Sequence, residues 1–153
     1  MLDHSLAVLH TLIFEQCTGS NCVINIVSKC ATSLTHLLLQ DFRDLQFDMI
    51  AEDLKLVSLK ELLILNTRNK QKLRKLTGFV GLIEKCSGTM ESLHLKDVDI
   101  RSINSFPVMI CLKKIMVHGV AVLDQPKLDN IFLRNKIQSL TPRFLNTAEK
   151  TKN

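Results

Sequence analysis

The amino-acid sequence predicts an α/β chain built as a stack, in which short parallel strands line one side and helices or irregular turns return along the other. Three observations predict it. An aliphatic phrase recurs six times; the apolar spacing between copies changes from steps of two to steps of three and four; and the apolar content is mainly aliphatic, with seven Phe but no Tyr or Trp. Side chains of similar size suit thin layers that repeat.

Composition bounds the class before any element is placed. With 153 residues, 46% hydrophobic and 23% charged, the chain has the make-up of one folded domain and not of a disordered tail. A chain of this size buries about 70% of the surface that its unfolded form exposes, enough for a core. The formal net charge of +5 favours acidic partners without requiring nucleic acid. Cys17, Cys22, Cys30, Cys86 and Cys111 form an odd set without close paired spacing, as expected of reduced thiols. Met1-Leu2-Asp3-His4 opens no secretory signal, and no apolar run reaches the roughly 18 residues of a membrane span. The expected compartment is the cytoplasm or nucleus, without membrane contact.

The recurring phrase is L-x-x-L-x-L, where L stands for an aliphatic residue or Phe. Its copies are Leu9, Leu12 and Phe14, followed by Cys17; Leu34, Leu37 and Leu39; and Leu59, Leu62 and Ile64. The fourth is Met90, Leu93 and Leu95, continuing to Val98 and Ile100; the fifth Leu112, Ile115 and Val117, continuing to Val120 and Val122; the sixth Leu128, Ile131 and Leu133. Starts at 9, 34, 59, 90, 112 and 128 are 25, 25, 31, 22 and 16 residues apart, mostly in or near the interval of leucine-rich repeats. The residues at steps three and five from each start fall on one side of a strand. One such strand cannot bury that side alone, whereas stacked copies can.

Between copies the period lengthens. Leu73, Leu76, Val80 and Ile83 mark one face of a helix, and Ser20 or Asn21 is placed to cap an earlier helix through Val23, Ile24 and Val27. A third helix is expected from about Asp44 to Leu56, with Ile50 and Leu54 inward. Pro107 and Pro126 interrupt the later returns. The organisation expected is an array of about six repeats over residues 1–138, then a polar tail over 139–153.

Cys30 lies four residues before Leu34 and Cys86 four before Met90, each closing a predicted helix. This arrangement resembles the cysteine-containing leucine-rich repeats of F-box proteins, over roughly Leu9 to Leu133. The chain departs from it at Lys55, before Leu59, and at Val108, before Leu112. The resemblance implies a leucine-rich repeat solenoid with a short-stranded parallel sheet on the concave side. It also implies capture of a substrate protein for a cullin-based ubiquitin ligase. The F-box precedes the repeats in that family and is not seen in the eight residues before Leu9, so only the capture half carries over.

Residues at steps two, four and six alternate with the buried ones and are expected to line the concave face. Step four holds Ile13, Leu38, Leu63, His94, Met116 and Phe132, an apolar stripe broken only by His94. Step six holds Glu15, Gln40, Leu65, Lys96, His118 and Arg134, passing from acidic to basic, and Lys114 at step two adds to the basic end. A protein partner is expected to lay an apolar ridge on the stripe, with acidic groups near Lys96, Lys114 and Arg134. The competing reading is lateral packing between strands, or cover by another segment.

Arg68, Lys70, Lys72, Arg74 and Lys75 form the densest charge run, which either contacts phosphates or serves as a solvated face. It lacks flanking aromatics to stack on bases. Cys17 and Cys22 have no second ligand pair at zinc spacing. His36, His94 and His118, expected on solvent-facing strands, could form a patch, but with no partnered Ser, Cys or carboxylate at recognisable spacing they are read as ordinary contact residues. With no phosphate-cradling loop, metal-binding helix or nucleophile elbow, neither catalysis nor a cofactor is expected. The functional expectation is a protein-protein interaction module. A nucleic-acid-associated protein using residues 68–75 and a truncated repeat fragment without independent function are the alternatives.

Overall fold

Parallel neighbours cannot be joined by a tight turn, so each pair of strands needs a return across one face of the sheet. The computed structural model describes residues 8–42, 45–47, 52, 54–67, 74–99, 107–118 and 139–143. These form an α/β arrangement of open parallel sheets with few helices. In chain order the elements are β1 (Thr11–Glu15), α1 (Ser20–Lys29), β2 (His36–Gln40), β3 (Leu45–Gln46), β4 (Glu61–Leu65) and β5 (Arg74–Thr77). They continue with α2 (Phe79–Cys86), β6 (Ser92–Lys96), β7 (Val98–Asp99), β8 (Lys114–His118) and β9 (Ser139–Arg143). The larger sheet has the order β1-β2-β4-β6-β8-β9, and β3, β5 and β7 form a second, three-stranded sheet. After β2, β4 and β6 the chain therefore contributes one short strand to the second sheet before it returns.

Register follows the repeat. Leu12, Leu37, Leu62, Leu93 and Ile115 are successive Cα partners, and Phe14, Leu39, Ile64, Leu95 and Val117 form the adjacent row. From Leu37 to Ile115 the first row is buried, whereas Leu12 and Phe14, on the edge strand, are half-buried. Each fully buried leucine stabilises the stack by roughly 1.5–3 kcal/mol. Strand entry is built alike each time. The carbonyl of His10 accepts N–H groups from Thr35 and His36, that of Thr35 from Lys60 and Glu61, that of Lys60 from Glu91 and Ser92, and that of Glu91 from Lys113 and Lys114. At strand exit Gln16, Asp41, Asn66 and Asp97 donate their N–H groups to Gln40, Leu65, Lys96 and His118, each at 2.9 Å. Gln16, Asp41 and Asp97 do so at φ 57, 56 and 52, the left-handed conformation that turns the chain off the sheet.

The helices differ from expectation at their ends. Gly19 (φ 95) precedes α1 and no side chain caps it, so neither Ser20 nor Asn21 has the capping role. Val23, Val27 and Cys30 are buried there, and Ile24 is half-buried. Leu76, expected on a helix, lies in β5, and Gly78 (φ 69) separates that strand from α2. The helix expected over Asp44–Leu56 is also displaced: Leu45–Gln46 form β3, and residues 54–56 are not helical. Ile50 lies outside the described residues. In both places pairing within the second sheet, Leu45 with Leu76 and Gln46 with Thr77, outweighs a local 3.6-residue period.

A cysteine closes each of the two described helices. Cys30 and Cys86 are buried, and their carbonyls accept the N–H groups of Leu34 at 2.8 Å and Met90 at 3.0 Å. Lys55 and Val108, at the equivalent positions, are exposed. There the described residues 54–60 and 107–113 are not helical, and the turn closes one residue tighter, Leu59 N–H to the Leu56 carbonyl at 3.4 Å and Leu112 N–H to the Met109 carbonyl at 3.1 Å.

The sixth copy is also displaced. The strand beside β8 is Ser139–Arg143, with Leu140 opposite Ile115, and not Leu128, Ile131 and Leu133, which lie outside the described residues. Counted from Ile137, this copy follows Leu112 by 25 residues. Pro142 takes the place of the third aliphatic, which hides the copy from a pattern search and is tolerated because β9 is an edge strand. The larger sheet therefore extends to Arg143.

Candidate protein-binding face

Three rows of residues cross the open side of the larger sheet, because alternate residues of each strand point away from the core. The middle row is Ile13, Leu38, Leu63, His94 and Met116, successive partners across five strands. Ile13 is 60% exposed, and the other four are half-buried. One flanking row is Thr11, His36, Glu61, Ser92 and Lys114; the other is Glu15, Gln40, Leu65, Lys96 and His118. The structure thus brings eight of the ten expected contact positions onto one surface, the last three being Lys96, Lys114 and His118. Phe132 and Arg134 lie outside the described residues. The register positions beside Met116 and His118 belong instead to Thr141 and Arg143.

Charge is distributed unevenly over this surface. His36 Nε2 lies 3.8 Å from Glu61 Oε2. At the rim where strands begin, Glu91 takes a 2.7 Å hydrogen bond from Lys113 Nζ and lies 3.9 Å from Lys60 Nζ. The Lys113 hydrogen bond and charge hold the Glu91 carboxyl below its ordinary range and raise the Lys113 ammonium in turn. Among the described residues no carboxylate pairs with Lys96 or Lys114.

His94 and His118 meet edge to face, their ring centroids 5.0 Å apart at an interplanar angle of 60°. Burial, then His118, Lys96 and Lys114, hold His94 below the ordinary histidine range, with Glu61 opposing. Its Nε2 is buried and has no hydrogen-bond partner among the described residues. Sequence reasoning placed both histidines on one face but missed their contact. The signal was the 22-residue interval between Met90 and Leu112, which puts position 116 beside 94 and position 118 on its diagonal.

Arg74 and Lys75 are in β5, and Arg68, Lys70 and Lys72 lie outside the described residues. Cys17 Sγ lies 3.6 Å from the Glu15 carbonyl, and Cys22 is exposed on α1. Among the described residues no three His, Cys, Asp or Glu side chains gather as a metal site, and no helix is long and apolar enough to cross a membrane. Comparison with protein-family models, curated proteins and solved structures finds no match for this chain.

Proposed function

We propose that this chain is a protein-interaction module, a leucine-rich repeat solenoid that holds a partner protein on the open side of its larger sheet. The observation that carries this reading is the in-register row from Ile13 through Leu38 and Leu63 to Met116, apolar except at His94 and accessible along its length. Contiguous apolar surface of this kind marks partner sites more often than scattered apolar residues do. Strands stacked in chain order, with one shared interior and entry and exit turns built alike, support the solenoid. The reading is of a binding protein and not an enzyme.

Buried cysteines closing both helices support the narrower role of a substrate-recognition part of a cullin-based ubiquitin ligase. Free thiols at Cys30 and Cys86, deep in the core, support the cytoplasm or nucleus as compartment. Replacing Leu63 and Met116 together by Asp should abolish recovery of partners from cells while the far-ultraviolet dichroism stays native; unchanged recovery rejects the binding face. Co-purification of cullin-ligase components with the unaltered chain supports the narrower role, and a defined partner without them removes it.

A further inference from the structure

Four described lysines at the larger sheet fall into two settings. Lys60 and Lys113, at the strand-entry rim, share Glu91, whereas Lys96 and Lys114, on the open side, flank the His94–His118 pair with no carboxylate of their own among the described residues. We propose that His94, His118, Lys96 and Lys114 seat an Asp or Glu side chain of the protein held on this face, and that capture therefore tightens on acidification. This rests on the reading of the face as a docking surface and names the chemistry of its occupant.

Geometry carries the argument. The groups facing His94 are Glu61 and Leu63 from β4, Ser92 and Lys96 from its own strand, and Lys114, Met116 and His118 from β8. Glu61, the one acidic group among them, is turned toward His36 at 3.8 Å. Four basic groups thus surround an apolar floor. The one described carboxylate facing it, Glu61, is shared with His36 and only partly offsets the cations at His94, and a proton on His94 there adds like charge to like charge. An incoming carboxylate reverses that balance and supplies the acceptor that His94 Nε2 lacks, after a small rotation about a torsion that is soft for histidine. Burial and the neighbouring cations hold His94 below the ordinary histidine range, and a carboxylate beside it opposes them. Asp and Glu ionise near about 3.9 and 4.3, so they keep their charge while imidazoles gain theirs. From Leu63 to His118 is two strand spacings across and two residues along, about 12 Å, which an extended peptide covers in about three to four residues.

Random peptides displayed on phage and selected on the purified chain at about pH 5.5 and about pH 7.5, either side of the imidazole range, test this. The expected peptides carry Asp or Glu about three to four residues from an aliphatic residue and bind about tenfold tighter at the lower pH. They should lose that gain when the acid is changed to its amide, and likewise against His94→Gln with His118→Gln, whereas Lys96→Met with Lys114→Met should weaken binding at both pH values, in chains whose dichroism stays native. Peptides that depend on Leu63 yet carry no acid, or bind equally at both pH values, overturn the carboxylate seat and leave the docking face standing. Peptides indifferent to Leu63→Asp, or no peptides at either pH, overturn the docking face and the seat with it.

Discussion

Thr67 donates both its backbone N–H and its hydroxyl to the Asp41 carboxylate, at 2.5 and 2.7 Å, and so ties the exit turn of β4 to that of β2. Asp41 is buried and left-handed, at φ 56, a conformation that Asp and Asn tolerate better than most residues. Asp41→Ala should lower unfolding free energy by about 2–3 kcal/mol, and Asp41→Asn by less, because an amide oxygen still accepts one bond. Urea midpoints of the two variants check this; equal losses would show that the backbone conformation, not the carboxylate, sets the cost.

The burial gradient along one register row makes a second test. Leu62, in an interior strand, has no exposed surface, whereas its row-mate Leu12 on β1 is half-buried. Leu62→Ala should cost about 2–5 kcal/mol, and Leu12→Ala clearly less. Chemical denaturation of both variants measures the ratio, and comparable losses would mean that β1 is covered as deeply as β4.

Burial pushes the Cys86 thiol up to about 12 from its ordinary 9.0, against a smaller opposing effect of backbone hydrogen bonding. The unfolded chain releases this proton near 9.0 and the folded chain near 12, so the contribution is complete below about pH 9 and is lost as pH rises toward 12. Stability should therefore fall more steeply across that window in the unaltered chain than in Cys86→Ala, as read from urea midpoints. Alkylation with iodoacetamide in the folded state should label exposed Cys22 and spare Cys86.

His94 has the opposite sign. Burial, His118, Lys96 and Lys114 depress its proton affinity in the folded chain, so the unfolded chain binds that proton first on acidification. The associated stability is intact above the ordinary histidine value of 6.5 and is lost as pH falls through the folded one. NMR titration should place the His94 midpoint below 6.5, and Lys96→Met should move it upward. A midpoint unmoved by that substitution would remove Lys96 from the causes and leave burial, His118 and Lys114.

Much of this architecture is legible residue by residue. Leu12, Leu37, Leu62, Leu93 and Ile115 are readable as one row because a period of two within strands and an interval of 22 to 31 residues between them leave one register that turns every member toward the core. The same arithmetic places Ile13, Leu38, Leu63, His94 and Met116 on the other side. It fails at Leu45 and Leu76, whose local spacing is helical but whose backbones pair with each other, and at Leu128, where an aliphatic run imitates the repeat while Pro142 disguises the real copy.

By itself, the sequence determined the alternation of side chains across each strand, the cysteines that close the helices and the row of apolar residues left outside the core, because these depend on near neighbours in the chain. Tertiary structure alone decided the second sheet, the Asp41 to Thr67 bridge and the contact between His94 and His118. Each of these joins residues from different repeats, and their meeting depends on how far one return displaces the next strand, a sum of many weak contacts that no local pattern records.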